Sequence, residues 1–192
     1  MSIPAPIRLL TEHARPIILS SFRKDSCIAS TAISIKVLHH FGIKAFPVPV
    51  HMDVFNRMYV KMIEEVGIGT DLSKEEQLAW VEKGAWSVGV EDDSVGHVVA
   101  CTKKVLIDLS IDQATRPARG IFLEPLAIEV QETFFGGEPA FTAMNDSLIR
   151  YMTNPGRDNF LQSKDWTDGS RHEKQVAKTI EVLEKEMRKR KR

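Results

Sequence analysis

Long apolar runs and a surplus of one charge are both missing from this 192-residue sequence. A membrane-spanning helix needs about 18 or more apolar residues in a row, and no stretch of the chain approaches that length. The 26 Lys and Arg residues are balanced by 26 Asp and Glu residues, so the formal net charge is zero. This balance removes the global electrostatic argument for binding nucleic acid. We therefore expect neither a membrane nor a nucleic acid as partner, and we expect the basic RKRKR end to be a solvated helix end.

Cysteine is also scarce, because the chain has only Cys27 and Cys101. Two cysteines do not make a disulfide framework, and no CxxC pair or His/Cys cluster indicates a metal site. The N-terminal segment lacks a basic region followed by a continuous apolar run, so it does not have the pattern of a signal peptide. We expect a cytoplasmic protein with two reduced thiols, no metal and no cofactor.

The length and composition fit one globular domain. Hydrophobic residues make up 43% and charged residues 27% of the chain, which are ordinary values for a folded domain. The pattern predicts a buried helix, two covering helices, an antiparallel sheet and a C-terminal amphipathic helix. Because helices and strands are segregated along the chain, this order indicates the α+β class. We expect a single domain over residues 1–192, with a core at about 20–130 and a C-terminal extension at about 131–192.

Several boundaries follow from local signals. Residues 1–20 contain three prolines and are expected to be an irregular lead-in. The run 43–50 reads as a strand, and Pro47 and Pro49 confine it to a sheet edge or a bulge. Three successive antiparallel strands are then expected, since short β-branched runs alternate with turn residues; they are Ala85–Val90, Val95–Thr102 and Val105–Ser110. The terminal helix is predicted from apolar residues at helical spacing; they are Val176, Ile180, Leu183 and Met187.

Cys27 opens the predicted buried helix. Asp25 and Ser26 form a good N-cap pair before the segment CIASTAISIKVLHHF. This helix is apolar on most of its faces, which places it inside a domain. Free backbone N–H groups and the positive end of the helix dipole stabilise a thiolate in the first turn. Cys27 is therefore a candidate nucleophile.

A hairpin carries the two candidate partners of Cys27. If Lys103 and Lys104 form a two-residue turn, Thr102 pairs with Val105 and the alternation of strand side chains follows. One face of the hairpin then carries His97, Val99, Cys101, Asp108 and Ser110. On that face His97 and Asp108 are diagonal neighbours, so the carboxylate can hold the imidazole. If the buried helix packs on the same face, Cys27 meets His97 at its N-terminal end.

This arrangement resembles the papain-like and transglutaminase-like cysteine hydrolase superfamily. The matching segments are DSCIASTA (25–32), GHVVA (96–100) and LIDLSIDQA (106–114). The last segment is similar to a run found in small bacterial and phage members of the superfamily. The resemblance covers residues 20–115, and it implies a papain-like core in which a central buried helix packs on an antiparallel sheet. It further implies Cys27 as nucleophile, His97 as base and Asp108 as the acid that orients the imidazole.

The sequence departs from the papain-like pattern at the oxyanion hole. Papain-like peptidases carry a Gln a few residues before the nucleophile, and SSFRKDSC has none. The backbone N–H of Cys27 can contribute to an oxyanion hole, with Ser26, Arg23 or Gln113 as alternative side-chain donors. Asp112 has the same strand parity as Asp108 and is the rival orienting acid, although its position suits a strand-end cap better.

These residues predict a cysteine-dependent acyl-transfer enzyme with a Cys-His-Asp triad and a thioester intermediate. Its substrate would be a protein or a small-molecule amide or ester, and water or an amine would be the acceptor. The alternative is a catalytically inactive papain-like fold that acts as a protein-binding module, as the missing Gln suggests. The pattern leaves the acyl acceptor and the oligomeric state open.

Overall fold

A computed structural model describes residues 3–23, 26–67, 70–89 and 97–190. Over these ranges the chain forms α-helices and one antiparallel sheet. The helices are α1 (Ala5–Leu19), α2 (Cys27–His40), α3 (Arg57–Val66), α4 (Lys74–Glu82), α5 (Lys164–Thr167) and α6 (Glu173–Arg190). The strands are β1 (Phe46–Phe55), β2 (Ser87–Gly89), β3 (His97–Cys101), β4 (Val105–Asp108), β5 (Leu126–Glu129), β6 (Ala140–Met144) and β7 (Ser147–Thr153). The predicted α+β class, antiparallel sheet and C-terminal helix are confirmed.

The expectation of an irregular lead-in over residues 1–20 is wrong, because α1 occupies most of that segment. Pro6 lies in the first helical turn, where a missing N–H costs nothing. Pro16 lies inside the helix, where it removes a backbone hydrogen bond. Burial of one apolar side outweighs this loss, and the buried residues of that side include Ile7, Leu9, Leu10, Ala14, Ile17 and Ile18.

The sheet order is β5-β4-β3-β1-β7-β6, and β2 pairs with the far end of β1. The expectation that Pro47 and Pro49 confine their strand to an edge is therefore wrong for β1 as a whole, which lies in the middle of the sheet. Pairing with β7 begins only at Val50, and the carbonyl of Pro49 accepts from the Asn154 N–H at 2.9 Å. The two ring nitrogens therefore lie on the β7 side of β1, Pro49 at the last residue pair and Pro47 beyond it, so the hydrogen bonds of β1 to β3 do not need their missing N–H groups.

The expected series of three successive strands is also corrected. The β3–β4 pair forms as expected, but β2 pairs with β1 rather than with β3. β1 is ten residues long, so one of its sides has room for β3 along the first half and β2 along the second. Val90, Val95 and Gly96 lie outside the described residues.

The two faces of the sheet bury separate apolar clusters. The inner cluster includes Val48, Val50, Met52, Val54, Val99, Cys101, Leu106, Ile149 and Tyr151. Three strand spacings separate β4 from β7, which is roughly 14 Å in a flat sheet, yet the Tyr151 hydroxyl reaches Asp108 at 3.0 Å. The sheet must therefore curl strongly around the inner cluster.

Helices α1, α2 and α6 cover the outer face. Their cluster joins Ile33 and Val37 of α2 to Ala100 and Ile107 of the hairpin. The expectation that the buried helix packs on the face that carries Val99 and Cys101 is wrong, because those two residues belong to the inner cluster. The predicted residues of α6 do pack here; they are Val176, Ile180, Leu183 and Met187.

Buried apolar residues also lie outside the segment of about 20–130. α1 supplies buried residues before residue 20, while Ile149 and Leu183 are buried in the segment 131–192 that was expected to be an extension. Within the described ranges no helix is both long and apolar enough to cross a membrane.

Candidate active site

Helix α2 and strand β3 hold the first two candidate residues. Cys27 is the first residue of α2, with Ser26 as its N-cap, and Asp25 lies outside the described residues. One turn later the Thr31 hydroxyl donates to the Val98 carbonyl at 2.8 Å. Since Val98 follows His97, this bond ties the thiol-bearing end of the helix to the beginning of β3.

The hairpin has the predicted register. The Thr102 N–H donates to the Val105 carbonyl at 2.8 Å across the Lys103–Lys104 turn, and Ala100 lies opposite Ile107. A two-residue turn fixes the alternation of the whole hairpin. His97 and Asp108 therefore share the inner face, as predicted from the turn.

His97 and Asp108 form a buried pair. Their Nε2 and Oδ2 atoms are 2.6 Å apart, and each residue is only 1% exposed. The Tyr151 hydroxyl donates to the same Oδ2 at 3.0 Å. The Ser110 N–H and hydroxyl donate to Oδ1 at 2.9 and 3.2 Å. Both oxygens are thus occupied, which is the condition under which a carboxylate tolerates burial.

This environment favours the charged form of both partners. Burial disfavours the imidazolium of His97, but the charge and hydrogen bond of Asp108, with a further contribution from Cys27, raise its pKa from 6.5 to about 10. Burial opposes the ionisation of Asp108 too, yet His97, Ser110 and Tyr151 hold the pKa of Asp108 below its usual value. At neutral pH the pair is therefore an imidazolium beside a carboxylate.

Cys27 completes the cluster. Cys27 contributes to the raised pKa of His97, which puts the thiol in the neighbourhood of the imidazole, while the hydrogen-bond partners of the ring in the described residues are Asp108 and Gln113. Because Nε2 is bound to Asp108, a thiol could bind the ring only through Nδ1. Cys27 is itself buried, with 7% of its surface exposed.

Gln113 contacts the same imidazole nitrogen. Its side-chain amide lies 2.9 Å from His97 Nδ1, and the 3₁₀ turn Ile111–Ala114 carries it there. The structure has the amide Nε2 at this position. With His97 charged, Nδ1–H donates, and the amide must be turned so that its oxygen accepts, an exchange that leaves the shape of the side chain unchanged. Gln113 is therefore part of the cluster through the imidazole, and its role as an oxyanion donor stays a prediction.

The remaining candidates occupy different places. Asp112 binds Arg15 at 2.6 Å rather than His97, so Asp108 is the acid at the imidazole. Ser26 lies beside Cys27, and its hydroxyl is buried without a hydrogen-bond partner among the described residues. Arg23 is exposed. Cys101 is fully buried in the inner cluster, and burial followed by the charge of Asp108 raises the pKa of its thiol.

Two residues of the site were not anticipated. Tyr151 comes from β7, where the alternation of SLIRYMT agrees with a strand that buries Ser147, Ile149 and Tyr151. Arg15 comes from the missed helix α1 and donates to Ser30, one turn after Cys27, at 3.2 Å. No group of three His, Cys, Asp or Glu residues in the described ranges could hold a metal ion.

The chain matches no protein-family model, no curated protein and no solved structure. None of these comparisons identifies a papain-like superfamily, so the predicted resemblance stays a prediction.

Proposed function

We propose that this chain is a cysteine-dependent acyl-transfer enzyme with a papain-like core, and that Cys27, His97 and Asp108 are its catalytic triad. The observation that carries the proposal is the buried 2.6 Å pair of His97 and Asp108, with Cys27 buried at the start of α2 and near enough to contribute to the raised pKa of His97. A nucleophile, a base and a group that orients the base are the three parts that this chemistry needs.

The proposed reaction begins with the Cys27 thiolate beside the His97 imidazolium. The sulfur attacks the carbonyl carbon of an amide or ester, and the new C–S bond gives a tetrahedral oxyanion. The C–N or C–O bond then breaks, and His97 gives its Nδ1 proton to the leaving group. Water or an amine next attacks the thioester carbonyl and gives a proton to Nδ1 of His97. The C–S bond then breaks, which releases the acyl product and restores the thiolate beside the imidazolium. Asp108 holds the imidazole through Nε2 in both steps.

An activated ester tests this proposal without knowledge of the natural substrate. p-Nitrophenyl acetate should release p-nitrophenolate in a burst, and mass spectrometry should find an acetyl group on Cys27 that hydroxylamine removes. Cys27→Ala should abolish the adduct, and His97→Ala should slow its formation. Cys101→Ala is the matched control and should keep the adduct. Acetylation of Cys27 at the same rate with and without His97 would overturn the proposal.

A second candidate is the inactive papain-like module that binds proteins. Two observations favour it: Cys27 is 7% exposed, and Gln113 occupies the imidazole nitrogen that a thiol needs. Gln113→Ala separates the two candidates. In an enzyme the substitution changes the acylation rate, upward if Gln113 blocks Nδ1 and downward if it stabilises the oxyanion. In an inactive module neither the wild type nor this variant acquires an acetyl group on Cys27.

A further inference from the structure

Strand β6 is the last strand of the sheet, and in the described part of the chain it pairs only with β7. A two-residue turn joins the two strands, with Met144 opposite Ser147. Both turn residues have positive φ, 46° at Asn145 and 62° at Asp146, which is the geometry of a type I′ hairpin turn. This turn determines which backbone groups of β6 face outward.

The residues that flank a two-residue turn form a hydrogen-bonded pair, and hydrogen-bonded pairs alternate along the ladder. Met144, Thr142 and Ala140 therefore direct their N–H and C=O groups toward β7. Phe141 and Ala143 direct theirs away from the sheet. Neither residue has a backbone hydrogen bond on that side within the ranges that the structure describes.

Proteins usually protect an edge strand with a charge, a proline or a bulge. Residues 140–144, AFTAM, contain neither a charge nor a proline, and their pairing with β7 is continuous and has no bulge. Phe141 is 55% exposed. The edge thus combines free hydrogen-bonding groups with exposed apolar surface, which are the properties of a site that adds a further strand.

We propose that β6 pairs with β6 of a second copy of this chain, antiparallel and with Thr142 on the two-fold axis. In this register Phe141 lies opposite Ala143 of the second copy, and Ala143 lies opposite its Phe141. The outward-facing residues of the two strands then meet as hydrogen-bonded pairs, as an antiparallel ladder requires. No charge in either strand opposes the approach.

The other edge strand of the sheet, β5, is less suited to pairing with β6 of a second copy. β5 carries Glu129 and is contacted by α1, so it is both charged and partly covered. Pairing of β6 with β5 would be head-to-tail and would leave a free edge at each end. Pairing of β6 with itself uses one patch from each copy and closes at the dimer.

A proline at position 143 tests the interface. Ala143→Pro removes one outward N–H and leaves the hydrogen bonds to β7 in place, since those use Thr142 and Met144. Phe141→Lys is a second variant, in which two lysines would approach each other across the axis. Leu78→Lys, at a residue of α4 that is 62% exposed, is the control for a new charge on an exposed apolar position.

Sedimentation equilibrium over a wide range of concentration gives the readout, with circular dichroism to confirm the fold of each variant. The wild type and Leu78→Lys should approach twice the monomer mass as concentration rises, while both β6 variants should remain monomeric. A wild type that stays monomeric at every concentration would overturn the proposal. So would dimerisation of folded Phe141→Lys at the wild-type concentration, or assembly of the wild type beyond the dimer.

Discussion

Replacement of Asp108 by Asn removes the charge that keeps His97 protonated and leaves the side chain almost the same size. Burial, which disfavours the charged imidazolium, then has the largest effect on the ring and should move the pKa of His97 below 6.5. In the wild type the rise from 6.5 to about 10 corresponds to about 5 kcal/mol in favour of the imidazolium. Loss of one partner of a buried ion pair typically costs about 3–5 kcal/mol. We therefore expect Asp108→Asn to reduce the free energy of unfolding at neutral pH by about 3–5 kcal/mol.

The pH dependence identifies the source of this loss. The pKa of His97 is raised in the folded protein, so its stabilisation is complete below pH 6.5 and is lost as the pH rises to about 10. Across that window the unfolded chain lacks a proton that the folded chain holds. The stability difference between wild type and Asp108→Asn should therefore shrink by about 1.4 kcal/mol per pH unit.

Urea unfolding at a series of pH values between 6.5 and 10 measures the difference. Asp112→Asn is the matched control, because Asp112 is paired with Arg15, whose guanidinium stays charged throughout this range. That variant should be destabilised by an amount that does not change with pH. A difference between wild type and Asp108→Asn that stays constant from pH 6.5 to 10 would refute the assignment of a charged His97.

Three further substitutions test other parts of the structure by urea unfolding at neutral pH. Tyr151→Phe should cost about 1.5–3 kcal/mol, because it removes a donor from the buried carboxylate of Asp108. Arg15→Met should cost about 3 kcal/mol, because the carboxylate of Asp112 loses its partner in a largely buried position, and Asp112→Asn in the same chain should recover part of the loss. Ser73→Ala should cost about 1 kcal/mol through loss of the capping box at α4.

For each of these three substitutions, a specific result would contradict the prediction. A Tyr151→Phe protein as stable as the wild type would mean that its hydroxyl does not support Asp108. If Asp112→Asn costs as much in the Arg15→Met protein as in the wild type, the 2.6 Å contact between Arg15 and Asp112 contributes no coupling. A loss at Ser73 well above about 1 kcal/mol would mean that α4 depends on more than its cap.

The parts of the site that sequence predicted are those that local rules determine. The two-residue turn at Lys103 and Lys104 fixes the register of the hairpin, and side-chain alternation then puts His97 and Asp108 on one face. Cys27 begins α2 as predicted, although the Ser26 side chain at the N-cap position makes no capping hydrogen bond. These rules act over a few residues, and the structure has both features.

The missed parts depend on contacts between distant segments. Pro16 favoured an irregular segment over a helix, and the packing of α1 on α2 and α6 compensates for the helix stability that proline costs. Pro47 and Pro49 indicated an edge strand, and they are tolerated because their ring nitrogens lie on the β7 side, at and beyond the end of that pairing. Tyr151 meets Asp108 only because the sheet curls, which no pattern within β7 reveals. The face that α2 covers was likewise set by the whole sheet rather than by the hairpin.

In the proposed mechanism, His97 is charged, is held by Asp108 and activates the Cys27 thiol. In a Cys101→Ala background Cys27 is the single thiol of the chain, so its second-order rate of alkylation by iodoacetamide can be measured directly at pH 6.5. We expect His97→Ala to lower this rate about tenfold or more, because the thiolate loses its cationic partner. Removal of the imidazole also opens space beside the sulfur, which by itself would raise the rate. An alkylation rate that is unchanged or higher in His97→Ala would contradict the activation of the Cys27 thiol by His97.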